Sequence, residues 1–229
     1  MKMIAVIPAR GGSKRLRRKN VLDFEGNPII AYTIEAAKKT QLFERIIVSS
    51  EDRETLEIAQ GFGAEISVRP TSLATDTSKV VDVCLHLLDM ELDQGRSYDI
   101  LCCLYTTAPL RNSGDIENTV ALVQSGQCDF AMAVTQYDFP PVQALRQSTD
   151  GFLQPMWPEL CYQQSQQIPH LLVDNGSTYA VSVPEFINVK SFYGPTLKGY
   201  FMPRMRSVDI DVAEDLEIAR LYARETGID

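Results

Sequence analysis

Six basic side chains crowd into ten consecutive positions: Arg10, Lys14, Arg15, Arg17, Arg18 and Lys19. No acid lies among them, and Gly11-Gly12 stands near the start of the run. Glycine backbone approaches an anion closely, and its N–H groups can fold into an anion-holding nest. Arg10, Lys14 and Lys19 could then neutralise a polyphosphate, Arg through a bidentate fork and Lys as a mobile point charge. The loop lacks both GxxxxGK[ST] and GxGxxG, the fingerprints of P-loop and dinucleotide sites. Three readings stay open on these residues alone: a nucleoside-triphosphate site, a nucleic-acid patch or import signal in KRLRRK, and a solvated charged loop.

A second constellation lies near the other end of the chain. Asp209 and Asp211 alternate across Ile210. On an extended segment both carboxylates face one side. Two hard oxygen ligands turned toward a triphosphate suit Mg²⁺. The same acids equally suit the start of a helix, where negative charge is favoured and Asp215 also stands. His86 and His170 are far apart, so a histidine metal or catalytic site is not expected. Cys84, Cys102, Cys103, Cys128 and Cys161 show no CxxC spacing and read as core thiols of a reduced, cytoplasmic protein.

The elements that must position these groups follow from pattern. Met3–Pro8 is a short apolar run that reads as a buried parallel strand, and the basic loop leaves its end. Ile29–Lys39, Glu51–Gly61, Lys79–Leu92, Ser113–Gln124 and Ala213–Glu225 read as helices, with Ser113 as a cap. Arg45–Ser50, Glu65–Arg69, Asp99–Tyr105, Asp129–Thr135, Ser177–Val183 and Gly199–Pro203 read as strands. Alternating strands and helices predict an α/β fold, a mostly parallel sheet with helices on both faces. Ligands of such sheets bind at the carboxyl edge, where the basic loop emerges. The rhythm breaks between residues 137 and 170, a proline-rich excursion with no helix period. The 229 residues otherwise read as a single domain without an internal linker.

Charge narrows the classes. The chain carries 22 basic and 30 acidic residues, a net charge of −8. Without the six cations of the loop the balance is −14. Such a background disfavours a nucleic-acid or membrane-surface protein. No apolar run is long enough for a transmembrane helix, and the N-terminal one is too short for a signal peptide.

Five ordered segments carry a resemblance. IPARGGSKRLRRKN, Arg69-Pro70 with Leu73-Ala74 and Asp76, Thr106-Thr107-Ala108-Pro109-Leu110-Arg111, Asp174-Asn175-Gly176, and Ser207-Val208-Asp209-Ile210-Asp211 together resemble the acylneuraminate (CMP-nonulosonate) cytidylyltransferases. The resemblance implies a Rossmann-like fold of nucleotidyltransferase type with a protruding dimerisation arm at about residues 137–170, in a cytoplasmic homodimer. It implies CTP and a nonulosonic acid as substrates for cell-surface glycan biosynthesis. The cofactor would be Mg²⁺, with Mn²⁺ as a substitute, and neither nucleic acid nor membrane would be a partner. Nucleotide binding falls to Arg10, Gly11, Gly12, Ser13, Lys14, Lys19, Asn20, Arg69, Asp76 and Ser78. Substrate binding falls to Tyr105, Thr106, Thr107, Asn175, Tyr179, Phe192 and Tyr193. Metal binding falls to Asp209 and Asp211, and catalysis to Lys19, Arg10 and Asp211, the last also a candidate proton acceptor.

Departures divide the subtype. Tyr105 in CCLYTTAPL and the segment Tyr137-Asp138-Phe139-Pro140 lean toward pseudaminate enzymes, whereas Asp174-Asn175-Gly176 leans toward sialate or legionaminate ones. Gln163, Gln164 and Ser165 stand where the family commonly has an Arg suited to the sugar carboxylate. The alternatives are a non-catalytic nucleotide-binding relative and a cytidylyltransferase for another 2-keto sugar acid, the eight-carbon Kdo type being more distant.

Overall fold

The structure is a computed structural model that describes residues 1–161, 163, 168 and 170–227. Residues 164–167, which include the Gln164 and Ser165 that stand where the family commonly has an Arg, lie outside the described residues. In chain order, β1 (Met3–Pro8) leads through the basic loop to a hairpin of β2 (Asp23–Phe24) and β3 (Asn27–Pro28). Then come α1 (Ile29–Thr40), β4 (Arg45–Ser50), α2 (Arg53–Gly61), β5 (Glu65–Val68), α3 (Val80–Asp93), β6 (Ile100–Leu104), α4 (Ser113–Gln124) and β7 (Phe130–Gln136). β8 (Leu145–Gln147), β9 (Leu153–Pro155) and the one-turn α5 (Pro158–Cys161) follow. The chain closes with β10 (Leu172–Ser182), α6 (Val183–Val189), β11 (Leu197–Phe201) and α7 (Ala213–Thr226).

Seven strands form one sheet in the order β11-β7-β10-β6-β1-β4-β5. β1 runs parallel to β4 and β6, β4 to β5, and β11 to β7. β10 runs antiparallel to β6, which brings its first residues to the carboxyl end of that strand. Strand side chains alternate between faces, so β1 serves two cores. Met3, Ala5 and Ile7 join Ile30, Ile34, Leu56 and Ile116 from α1, α2 and α4. Ile4 and Val6 join Val83 and Leu87 of α3 and Phe186 of α6. A third cluster packs Leu216 and Ala219 of α7 with Phe24, Ile29 and Ile210. Burial of Ile210 there anchors the Asp209–Asp211 segment beside the hairpin that ends the basic loop.

Local chemistry moves some boundaries. α2 begins at Arg53 because the Asp52 side chain accepts the Thr55 N–H at 3.0 Å and caps the helix. Glu51 is thereby left in the loop after β4. α4 is capped by Asn112 rather than Ser113, in a reciprocal capping box with Asp115. β10 starts at Leu172, well before the expected Ser177, and α6 is a short helix the sequence pattern did not reveal. Residues Thr135–Val173 form their own compact unit, separate from Met1–Val134 with Asp174–Asp229. Within it β8 and β9 pair as an antiparallel hairpin. Cys84, Cys102, Cys103 and Cys128 are buried, and the described cysteines form no disulfide.

The amino edge of the sheet is held by charge. Glu91 of α3 is almost fully buried and accepts from Arg45, from Arg96 Nε at 2.6 Å and from the Tyr98 hydroxyl at 2.7 Å. Arg96 first, then Arg45 and Tyr98, hold its carboxyl down at about 2 against burial, from an ordinary 4.5. A carboxyl depressed on folding contributes stability above its unfolded value, and that stability fades as pH falls from 4.5 toward 2. Glu91→Gln should therefore cost about 2 kcal/mol at pH 7, and less as pH drops below 4. Urea unfolding across pH measures this. Turnover should stay at wild type, because this cluster sits at the edge opposite the basic loop.

Candidate active site

The basic loop leaves β1 at the carboxyl edge, and its conformation is set from beneath. The Gly11 N–H donates to Glu51 Oε1 at 2.8 Å. A Cβ on Gly11 would stand 2.7 Å from Asp52 Cβ, so only glycine permits this approach. Asn20 is buried and ties the loop down, donating to the Arg10 carbonyl at 2.9 Å and accepting from the Thr106 hydroxyl at 2.6 Å. Asn20 is thus a strut, while its neighbour Lys19 turns into the cleft.

Two aspartates gather four of the loop cations. Asp76 accepts from Arg10 at 2.7 Å and pairs with Lys14. Asp211 pairs with Lys19 at 2.8 Å and with Arg15 at 2.7 Å. Arg18, in a left-handed conformation, pairs with Glu54, and Arg17 lies exposed. Arg10, Lys14, Lys19, Asp76 and Asp211 line a cleft of about 390 Å³, with Ser13 at its wall. A larger cavity of about 520 Å³, between Tyr32, Lys39, Asn112 and Arg206, takes Pro109–Arg111 into its wall but holds none of the residues predicted to bind nucleotide, sugar or metal. Volume alone therefore does not mark the chemistry.

The two metal candidates differ electrically. Partial burial works against the Asp211 charge, but Lys19 and Arg15 outweigh it and hold its carboxyl low. Asp209 keeps solvent contact, yet the protein packed around it pushes its carboxyl up, and the charge of Asp211 adds to this. Thr107 and Lys19 oppose that shift only in part. Gly176, at φ +66°, lies so near that a Cβ there would sit 3.0 Å from Asp209 Oδ2.

A group of aromatic side chains follows on the segments about Gly176. The rings of Tyr105 and Tyr179 lie 5.2 Å apart, and Tyr179 and Phe192 4.9 Å apart, with Phe186 stacked behind. The Tyr179 hydroxyl donates to Asp174 at 2.8 Å, and that of the exposed Tyr193 at 2.7 Å. Asn175 turns inward, donating to Ser207 at 3.0 Å and accepting from Ser177 at 2.8 Å. It braces the segment that carries Asp209. Two other predicted contacts are also turned inward. Arg69 is buried, with its guanidinium on the Ser49 carbonyl at 2.7 Å, and burial lowers its pKa. Ser78 closes the turn at Thr75. Glu51 was not singled out by sequence, and Asp174 was read only as part of a resembling turn and not as a binding residue. For Glu51 the only signal was an acid just after a strand, which has no distinctive spacing.

Fold and site together define an α/β protein with a cleft lined by four cations and two carboxylates at the carboxyl edge of a mostly parallel sheet. Its fold matches a CMP:2-keto-3-deoxy-manno-octonic acid synthetase complexed with CTP, at TM-score 0.68 and 20% identity, over 98% of this chain and 100% of that one. A cytidylyltransferase from Leptospira borgpetersenii matches at TM-score 0.60 and 19% identity, over 98% and 87%. The family model described as cytidylyltransferase matches residues 4–171. A pseudaminic acid cytidylyltransferase of Campylobacter jejuni is 33% identical over 96% of both chains. An N-acylneuraminate cytidylyltransferase of Escherichia coli O18:K1:H7 is 34% identical over 95% of this chain and 51% of that one. A CMP-N,N'-diacetyllegionaminic acid synthase of Legionella pneumophila is 32% identical over 94% and 93%. The chain belongs to the cytidylyltransferase family. The near-equal identities to three sugar types match the divided subtype signals in the sequence.

Proposed function

We propose that the chain transfers CMP from CTP to the anomeric 2-hydroxyl of a nine-carbon nonulosonic acid. That oxygen bonds to the α-phosphorus as the bond to pyrophosphate breaks. The observations that carry this reading are a cleft cationic at Arg10, Lys14 and Lys19, and a group of acceptors, Asp209, Tyr179 and Asp174, gathered about Gly176. Arg10 and Lys14 exchange Asp76 for phosphate oxygens. Lys19, little exposed and fixed on Asp211, neutralises charge that grows on the leaving group. The aromatic wall orients the sugar.

The donor chemistry suits Mg²⁺: two hard carboxylates, one of them held high by burial and by a like charge that a cation would relieve. Asp209 and Asp211 would hold the ion, which when bound screens the phosphates. Among the described residues no third acid, His or Cys joins them. Homodimerisation is supported by apolar groups exposed on the Thr135–Val173 unit, where Phe139 is 84% and Phe152 73% accessible. A cytoplasmic setting is supported by the free thiols.

The test is pyrophosphate release from CTP and Mg²⁺ with pseudaminate, legionaminate, N-acetylneuraminate and Kdo, with sedimentation of the active species. Turnover of at least one nine-carbon acid by a dimer is expected. No turnover with any acid overturns the reading, and a fully active monomer overturns the dimer.

A further inference from the structure

We propose that Asp174 sets the hydrogen-bond polarity of the sugar-acid half of the site, making it a reader of hydroxyl or amide N–H donors. The assignment rests on the CMP-transfer reading above. An aspartate carboxylate accepts only, and a tyrosine hydroxyl has one proton to give. Tyr179 commits that proton to Asp174 Oδ2 at 2.8 Å and Tyr193 does so at 2.7 Å. Toward a ligand each tyrosine oxygen can then only accept. Carboxylate and phenol oxygens form one acceptor surface, continued by Asp209 across Gly176.

The surface is built in advance. The Gly176 N–H pins Asp174 Oδ1 at 2.9 Å. The Tyr179 ring is 5% exposed and clamped between Tyr105 and Phe192, so its hydroxyl cannot swing away. A sugar acid must present donors here and keep its carboxylate elsewhere, because a second carboxylate would meet repulsion with no donor to receive it. Asp174 is thus a specificity residue that acts both directly and by orienting two tyrosines.

Asp174→Asn is the near-isosteric test. The asparagine carbonyl still accepts from Gly176, but its amide donates, so at least one tyrosine must turn its proton toward the ligand. For a sugar acid that the wild type uses, its KM should rise about tenfold, while KM for CTP and the melting temperature stay put. Analogues that each lack one donor, through hydroxyl-to-hydrogen or amide-to-ester exchange, give the second readout. One should cost the wild type about 30-fold in kcat/KM and cost Asp174→Asn less than about threefold. An unchanged sugar-acid KM, undiminished discrimination among the analogues, or equal losses for CTP and sugar acid would overturn the assignment. Should the variant unfold, Tyr193→Phe at the exposed ring carries the same comparison, with about a threefold rise expected. A wild type that releases no pyrophosphate with any sugar acid instead removes the functional reading, and this assignment with it.

Discussion

Replacing Lys19 by alanine should lower kcat/KM for CMP transfer about 10³-fold while leaving the fold intact. The reason is placement rather than charge count. Lys19 is 14% exposed and its ammonium lies 2.8 Å from Asp211, whereas Lys14 is 77% exposed on the same loop. An exposed cation is screened by water and gives little. One fixed in a narrow cleft meets developing charge without reorganising. Asn20 supplies the fixation, since its bonds to the Arg10 carbonyl and to Thr106 anchor the residue next to Lys19. Lys14→Ala should therefore cost only about tenfold, and Arg17→Ala less than about threefold. Lys19→Arg should not rescue, because a planar fork needs room this position lacks. Pyrophosphate release and urea melting of the variants decide it. A Lys19→Ala enzyme within tenfold of wild type removes Lys19 from the reacting centre.

The contrast within the loop explains what could be read from sequence. The β1 strand, the basic run and the Asp209–Asp211 pair were legible because each has a period or spacing with a physical meaning. Met3–Pro8 alternates between two cores, and Asp209 and Asp211 straddle the buried Ile210. The division of labour inside the loop was not legible. Asn20 reads as a ligand contact by type, yet Thr106 lies 86 residues away and claims it. Arg15 joins Asp211 across the whole chain, and no local pattern encodes that closure. Glu51 reads as the first turn of a helix until Asp52 takes the cap. Asp174 reads as a turn residue, and its meaning depends on Tyr193 reaching back across α6. The Ser113 cap failed for a similar reason: Asn112, one residue earlier, finds Asp115 at the reciprocal position.

Removing either carboxylate of the acidic pair should also lower turnover about 10³-fold, the several kcal/mol that metal-assisted charge screening supplies. The two losses should differ in stability. Asp211 is satisfied by Lys19 and Arg15, so Asp211→Ala strands two cations and should lower the melting temperature. Asp209 is held high by its surroundings and by Asp211, so its charge opposes folding. Asp209→Asn should therefore melt at or above the wild-type temperature while losing activity, as expected where a site keeps an unfavourable charge for function. Calorimetric titration with CTP alone should give near-wild-type affinity for Asp209→Asn, and the added affinity that Mg²⁺ brings should vanish. A variant that is active, or that melts well below wild type with Mg²⁺-enhanced CTP binding intact, would make Asp209 a structural carboxylate at the start of α7.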